Sequence, residues 1–81
     1  MKEIENDIIK KFSYKDYVVY IKETNECYES YIQNERYGVI DFMFGVRKDT
    51  NYLEDYIELV QCNIKDYIDL YKEKYLVFME D

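Results

Sequence analysis

The sequence has no histidine, no proline and no tryptophan, and only two glycines and two cysteines. Without histidine, the chain lacks the side chain most used as a general base near neutral pH and as a zinc ligand. Gly38 and Gly45 stand alone, so there is no glycine-rich phosphate loop. Ser13 and Ser30 are the only serines, and no imidazole is present to activate them or a thiol. Cys27 and Cys62 match no metal-ligand spacing and are too few for a disulfide-stapled secreted domain. They read as free, buried packing residues in a reducing cytoplasm. Asp49-Thr50-Asn51 opens like a calcium loop, but the required glycine is missing and Glu54 follows too early. Met1–Phe12 intersperses charge with apolar residues, unlike a secretory leader. The longest apolar run, Tyr75–Met79, falls far short of the ~20 residues of a membrane span. These absences predict a non-enzymatic, cytoplasmic protein with no cofactor and no metal.

What the chain does have is apolar and aromatic residues and negative charge. Its 81 residues allow one domain, 1–81, with a thin stability margin. Hydrophobic residues make up 48% and aromatics 19%, too many for a disordered chain. Eighteen acidic against 11 basic residues give a net charge of -7, which disfavours direct contact with nucleic acid or an anionic membrane.

Ile4, Ile8, Ile9 and Phe12 recur at helical spacing and predict a short N-terminal helix over residues 2–12. Tyr17–Ile21 and Cys27–Gln33 have strand chemistry, separated by the turn residues Thr24-Asn25-Glu26. Tyr37–Val46 is a third strand, with Ile40, Phe42, Phe44 and Val46 on one face and Gly45 marking a bulge or strand end. Asn51 reads as an N-cap with Glu54 as its capping-box partner. From there Leu53, Ile57, Val60, Ile64, Tyr67 and Tyr71 form the apolar stripe of a helix over residues 51–73. Tyr75–Met79 fits either a helical extension or a terminal strand. The expected fold is α+β: an N-terminal helix, a three-stranded antiparallel β-meander, and a long C-terminal helix packed on the sheet.

The long helix carries a second stripe. Asp55, Glu58, Cys62, Asp66, Asp69 and Glu73 follow at spacings of three and four, with Glu54 beside them. Carboxylates three residues apart rise about 4.5 Å along the axis, comparable to the phosphate spacing of a nucleic-acid strand. A solvated face with Lys65–Asp69 and Asp69–Lys72 ion pairs is the plain alternative. Glu23, Glu26, Glu29 and Glu35 add acid around the sheet. Eleven tyrosines exceed what one small core buries, so Tyr28 and Tyr56, among others, are expected on the surface as contact residues.

Asn6-Asp-Ile-Ile-Lys10, followed by Lys15-Asp-Tyr17, Val19 and Ile21, resembles the opening of an anti-CRISPR protein. The expected order of helix, three-stranded sheet and C-terminal helix is similar too. Members of that family are small, acidic, phage-encoded inhibitors of Cas effector complexes. The resemblance implies a DNA mimic acting in the bacterial host cell, whose acids occupy a basic groove and exclude target DNA. It departs from the family at the C-terminus, where only Glu80-Asp81 stands in place of a dense acidic run. The acids that carry over as chemistry are Glu54, Asp55, Glu58, Asp66, Asp69 and Glu73, with Glu23, Glu26, Glu29 and Glu35. The same charge logic serves an immunity protein or antitoxin that neutralises a basic nuclease. A third alternative is a small adaptor or dimerisation module pairing through Tyr67–Met79, so both a monomer and a homodimer are open.

Overall fold

The computed structural model describes residues 7–76. Four strands, β1 (Ile8–Tyr14), β2 (Tyr17–Glu23), β3 (Cys27–Asn34) and β4 (Ile40–Arg47), pair in chain order as one antiparallel sheet. A single 3-10 turn, Lys48–Thr50, leads into helix α1 (Leu53–Tyr71), which passes into a π-helical turn, Lys72–Leu76. The helix lies across one face of the sheet, and no described element covers the other, the open face.

The expected N-terminal helix and three-stranded sheet are therefore wrong. Residues 1–6 lie outside the described residues, and Ile8–Tyr14 is a fourth strand. The sequence contains both periods: Ile8, Ile9 and Phe12 suit a helix, while Phe12 and Tyr14 alternate with Ser13 as a strand does. Pairing with β2 decides between them. Phe12 sits opposite Val19 and Tyr14 opposite Tyr17, which extends the apolar inner face by one strand. A short isolated helix has no comparable gain, because nucleation is costly and few hydrogen bonds repay it. The two strands meet at the two-residue turn Lys15-Asp16, where Lys15 takes φ +55°.

The other connections are built from side chains. Thr24 Oγ1 accepts the Cys27 backbone N–H at 3.0 Å and donates to the Cys27 carbonyl at 3.1 Å, closing the β2–β3 turn. Asn34 Oδ1 accepts the backbone N–H groups of Arg36 (2.8 Å) and Tyr37 (3.0 Å). Gly38, at φ +82°, completes that turn by donating its N–H to the Asn34 carbonyl at 2.8 Å.

The inner face of β2 is Tyr17, Val19 and Ile21, all buried, with Ile32 of β3 and Met43 of β4 beside them. Tyr56, Val60, Ile64, Ile68 and Tyr71 of α1 complete the core, at the three-and-four spacing of one helical face. Leu53, Ile57 and Tyr67, expected as members of the apolar stripe, are only partly buried and pack at the margins of the core. Asn51 does not cap the helix. Its Nδ2 donates backward to the Arg47 carbonyl at 2.9 Å, and the N-cap position is Tyr52, with no side-chain cap.

A bulge divides β4. Glu29 pairs with Gly45 and Tyr31 with Phe42, so Met43 and Phe44 together oppose Ser30. The extra residue reverses the alternation. Phe44 and Val46 pack on the core, whereas Phe42 stays 50% exposed on the open face, against the expectation that all four apolar residues share one side. A Cβ on Gly45 would stand 3.0 Å from the Tyr28 carbonyl, so the bulge brings β3 and β4 together where only glycine fits. The cysteines are free but not buried: Cys27 is half-buried and Cys62 is exposed on the helix. Leu76 closes the π turn, and residues 77–79 of the Tyr75–Met79 run lie outside the described residues.

Candidate functional site

The six helix acids Glu54, Asp55, Glu58, Asp66, Asp69 and Glu73 are all exposed. At 3.6 residues per turn they fall within an arc of about 120°, opposite the arc that buries Tyr56, Val60 and Ile64. Glu54 to Asp69 spans about 22 Å of axis at 1.5 Å per residue. None of the six pairs with a cation or accepts a hydrogen bond among the described residues. The ion pairs there are Arg47–Asp49, Lys48–Glu23 and Lys74–Asp41. The Lys65–Asp69 and Asp69–Lys72 pairs permitted by spacing do not form.

Helix electrostatics account for only part of this pattern. Glu54 and Asp55 lie in the first turn, where carboxylates interact favourably with the helix dipole. Asp69 lies in the last turn, which holds no basic residue, and Glu73 follows in the π turn. Negative charge there opposes the dipole, so helix stability does not require these acids.

The sheet acids do not join the helix stripe. Glu23 accepts Lys48 Nζ at 2.6 Å, and Glu26 sits in the adjacent turn, near the start of α1. Glu29 points to the open face, where it accepts the Tyr31 hydroxyl at 3.0 Å. Glu35 lies beyond Asn34, at the opposite end of the sheet.

Two expected contact residues are placed otherwise. Tyr56 is 1% exposed and cannot touch a partner. Its hydroxyl donates to the Phe44 carbonyl at 2.5 Å and lies 2.9 Å from Ser30 Oγ, filling the gap that the bulge leaves in the ladder. Burial pushes its pKa up to about 12. Tyr28 is half-buried, stacks on Tyr56 at 5.9 Å, and is covered by Lys48. A dimer through Tyr67–Met79 also loses one of its aromatic residues. Tyr71 is fully buried, accepts the Asn34 N–H and donates to the Val39 carbonyl.

Of the surface tyrosines anticipated from composition, Tyr52 is 79% exposed just before α1, and Tyr20 and Tyr31 lie on the open sheet face. Tyr20 donates to Gln33 Oε1 at 2.8 Å, and Tyr31 meets Phe42 edge-to-face at 5.5 Å. Ile40 and Phe42 belong to the same face. Strand alternation alone would have placed Tyr20 there; Phe42 required the bulge to be known.

No group of three or more metal-ligating side chains gathers among the described residues. No helix among them is long and apolar enough to cross a membrane. No family model, curated protein or solved structure matches the chain. Any functional reading therefore rests on the residues themselves.

Proposed function

We propose that this protein is a non-enzymatic inhibitor that lays the acidic face of α1 into a basic, nucleic-acid-binding surface of another protein, a Cas effector complex being the target class. One observation carries the reading: six exposed helix carboxylates, none paired among the described residues, share one face. Uncompensated charge of one sign opposes folding through self-repulsion but accelerates and selects encounter with a partner of the opposite sign. The half-exposed Leu59 and Leu70 border the same face and supply apolar contact once the partner is engaged.

Competition tests this reading. The protein is expected to block target-DNA binding when added to a Cas effector first and to fail when DNA is bound first, as order-of-addition gel shifts would read. Reversing Glu54, Asp55 and Glu58 to lysine together should remove inhibition, while Tm falls only by the few degrees that loss of the favourable first-turn charges costs and the protein still folds. Inhibition that is indifferent to both order and reversal would refute occlusion by the helix. Inactivity on effectors combined with neutralisation of a basic nuclease would reassign the same surface to an immunity protein.

A further inference from the structure

At the end of the molecule away from the start of α1, the β1–β2 turn, the β3–β4 connection and the C-terminal half of α1 enclose a cleft of about 390 Å³. Its charge contrasts with the rest of the chain. Lys15, Arg36, Lys65 and Lys72, four of the 11 basic residues, line it from three separate segments. Asp16 and Asp69 also line it, leaving a local surplus of two positive charges. None of the four cations forms an ion pair among the described residues, although both acids are nearby. Lys15 lies over the Tyr14 ring at 5.7 Å and Arg36 over the Tyr37 ring at 5.6 Å, so each head group is held at the rim.

The floor also holds unused polar groups. Asn34 is 4% exposed and lines the cleft. Its Oδ1 is committed to the Arg36 and Tyr37 N–H groups, which fixes the orientation of the amide. The NH₂ has no acceptor among the described residues. Tyr17, also 4% exposed and lining the cleft, has a hydroxyl with no partner among them. Every fully enclosed side-chain nitrogen or oxygen described does have a partner, so these two groups must reach solvent through the small surface that remains to them. The frame is rigid, because the Glu35 N–H donates to the Asp16 carbonyl at 2.9 Å and ties the two turns together.

We infer that this cleft binds a small phosphomonoester, its phosphate held by Lys15, Arg36, Lys65 and Lys72 and its organic part resting against Tyr14, Tyr17 and Ile68. The charge matches: a phosphomonoester carries about -1.5 to -2 near pH 7, against a surplus of two. A monocarboxylate would neutralise only half of that. Asn34 Nδ2 adds a neutral donor, and the tyrosine hydroxyl both donates and accepts. The volume falls in the range of small-ligand sites, roughly 300–1,000 Å³, and leaves room for more than a phosphate ion. The net charge of -7 does not forbid this, since fields from exposed charges decay over about 8 Å at physiological salt and the molecule is 44 Å long.

The test is a titration of the isotope-labelled protein in phosphate-free buffer, followed by NMR. The probes are a nucleoside monophosphate, a sugar phosphate, inorganic phosphate and acetate at matched ionic strength. At least one organic phosphomonoester should saturate, shifting the Arg36 and Tyr37 amides and the Asn34 side-chain NH₂; whichever binds tighter identifies the source. Arg36→Gln and Lys72→Gln should each weaken it about tenfold, as loss of a charged hydrogen bond does, and Asp69→Asn should tighten it. Thermal melts of these exposed-site variants establish that they fold. The inference is overturned if no phosphomonoester saturates by about 10 mM, if inorganic phosphate or acetate binds equally well, or if the substitutions leave affinity unchanged. Reversing Glu54, Asp55 and Glu58 should not alter this titration, so the site stands or falls separately from the helix face.

Discussion

Replacing Tyr56 with phenylalanine should weaken the fold at neutral pH and relieve it in alkali. The ring stays in place, stacked near Tyr28 and edge-on to Phe44 at 5.4 Å, so little apolar burial is lost. What disappears is the hydroxyl that serves the Phe44 carbonyl at the bulge. That carbonyl retains Ser30 Oγ as a donor at 3.0 Å, so the cost is that of one buried hydrogen bond, about 1–2 kcal/mol. For a domain of this size it lowers Tm by roughly 5–12 °C. In alkali the sign reverses. The buried phenol has its pKa pushed up to about 12, against an ordinary value of 10.0. Below pH 10 the folded and unfolded chains are both protonated and the full stability is present. Above it the unfolded chain ionises first, and stability drains away until the folded pKa is reached, about 2–3 kcal/mol from this group. Burial raises Tyr71 and Tyr31 as well, so both proteins decline. The wild type should decline further, and its advantage over Tyr56→Phe should vanish by about pH 12. Thermal melts by circular dichroism from pH 8 to 12 provide the measurement. Equal stability at pH 8, or a constant difference across the range, would refute the account of a buried, bulge-filling phenol.

Other substitutions probe the turns and the thiols. Gly38→Ala should cost about 1 kcal/mol or more, because its φ of +82° strains any side chain even though nothing lies within 4 Å of the new Cβ. Gly45→Ala should destabilise by another route, forcing β3 away from a Cβ placed 3.0 Å from the Tyr28 carbonyl; unaltered melts in either variant would contradict these geometries. A thiol reagent should label exposed Cys62 in the native protein well before half-buried Cys27, with the order read by mass spectrometry. Reductant and chelator are each expected to leave Tm unchanged, and a drop of several degrees with either would reveal a staple or site.

Most of what the sequence discloses about the fold comes from α1. Its nineteen residues repeat an apolar face five times over, and no alternative structure satisfies that period. The segment Ile8–Tyr14 fails as a guide because seven residues accommodate both periods, and the choice is made by β2, which needs a partner on its free edge. Such a contact is invisible to local pattern. The bulge has the same effect on β4. A single extra residue between Phe42 and Gly45 turns Phe44 inward and leaves Phe42 outside, and it creates the carbonyl that draws Tyr56 into the core. The helix acids are legible because one helix carries them all. The cationic cleft is not, because Lys15, Arg36 and Lys72 come from segments up to 57 positions apart, and only the folded chain brings them together.

The fold also divides the charge by end rather than by face, and this ranks the helix acids. Near the start of α1, Glu54, Asp55 and Glu58 stand with Glu26 and Glu23, where Lys48 is already engaged by Glu23. Toward its end, Asp69 lines the cleft with Lys65, Lys72, Lys15 and Arg36, and Asp66 is next to Lys65 in the chain. The two groups are about 12 Å apart, from Glu58 to Asp66 along the axis, about one and a half times the screening length at physiological salt. Each therefore acts on an approaching partner through its own surroundings. A basic groove meets uncompensated negative charge at the first group, whereas at the second the cations that line the cleft offset the acids. Reversing Glu54, Asp55 and Glu58 should consequently slow association with a basic partner more than reversing Asp66, Asp69 and Glu73, although each set changes the net charge equally. Stopped-flow on-rates at low and moderate salt distinguish the cases. Equal slowing by the two sets would mean that net charge alone, and not its placement by the fold, governs encounter.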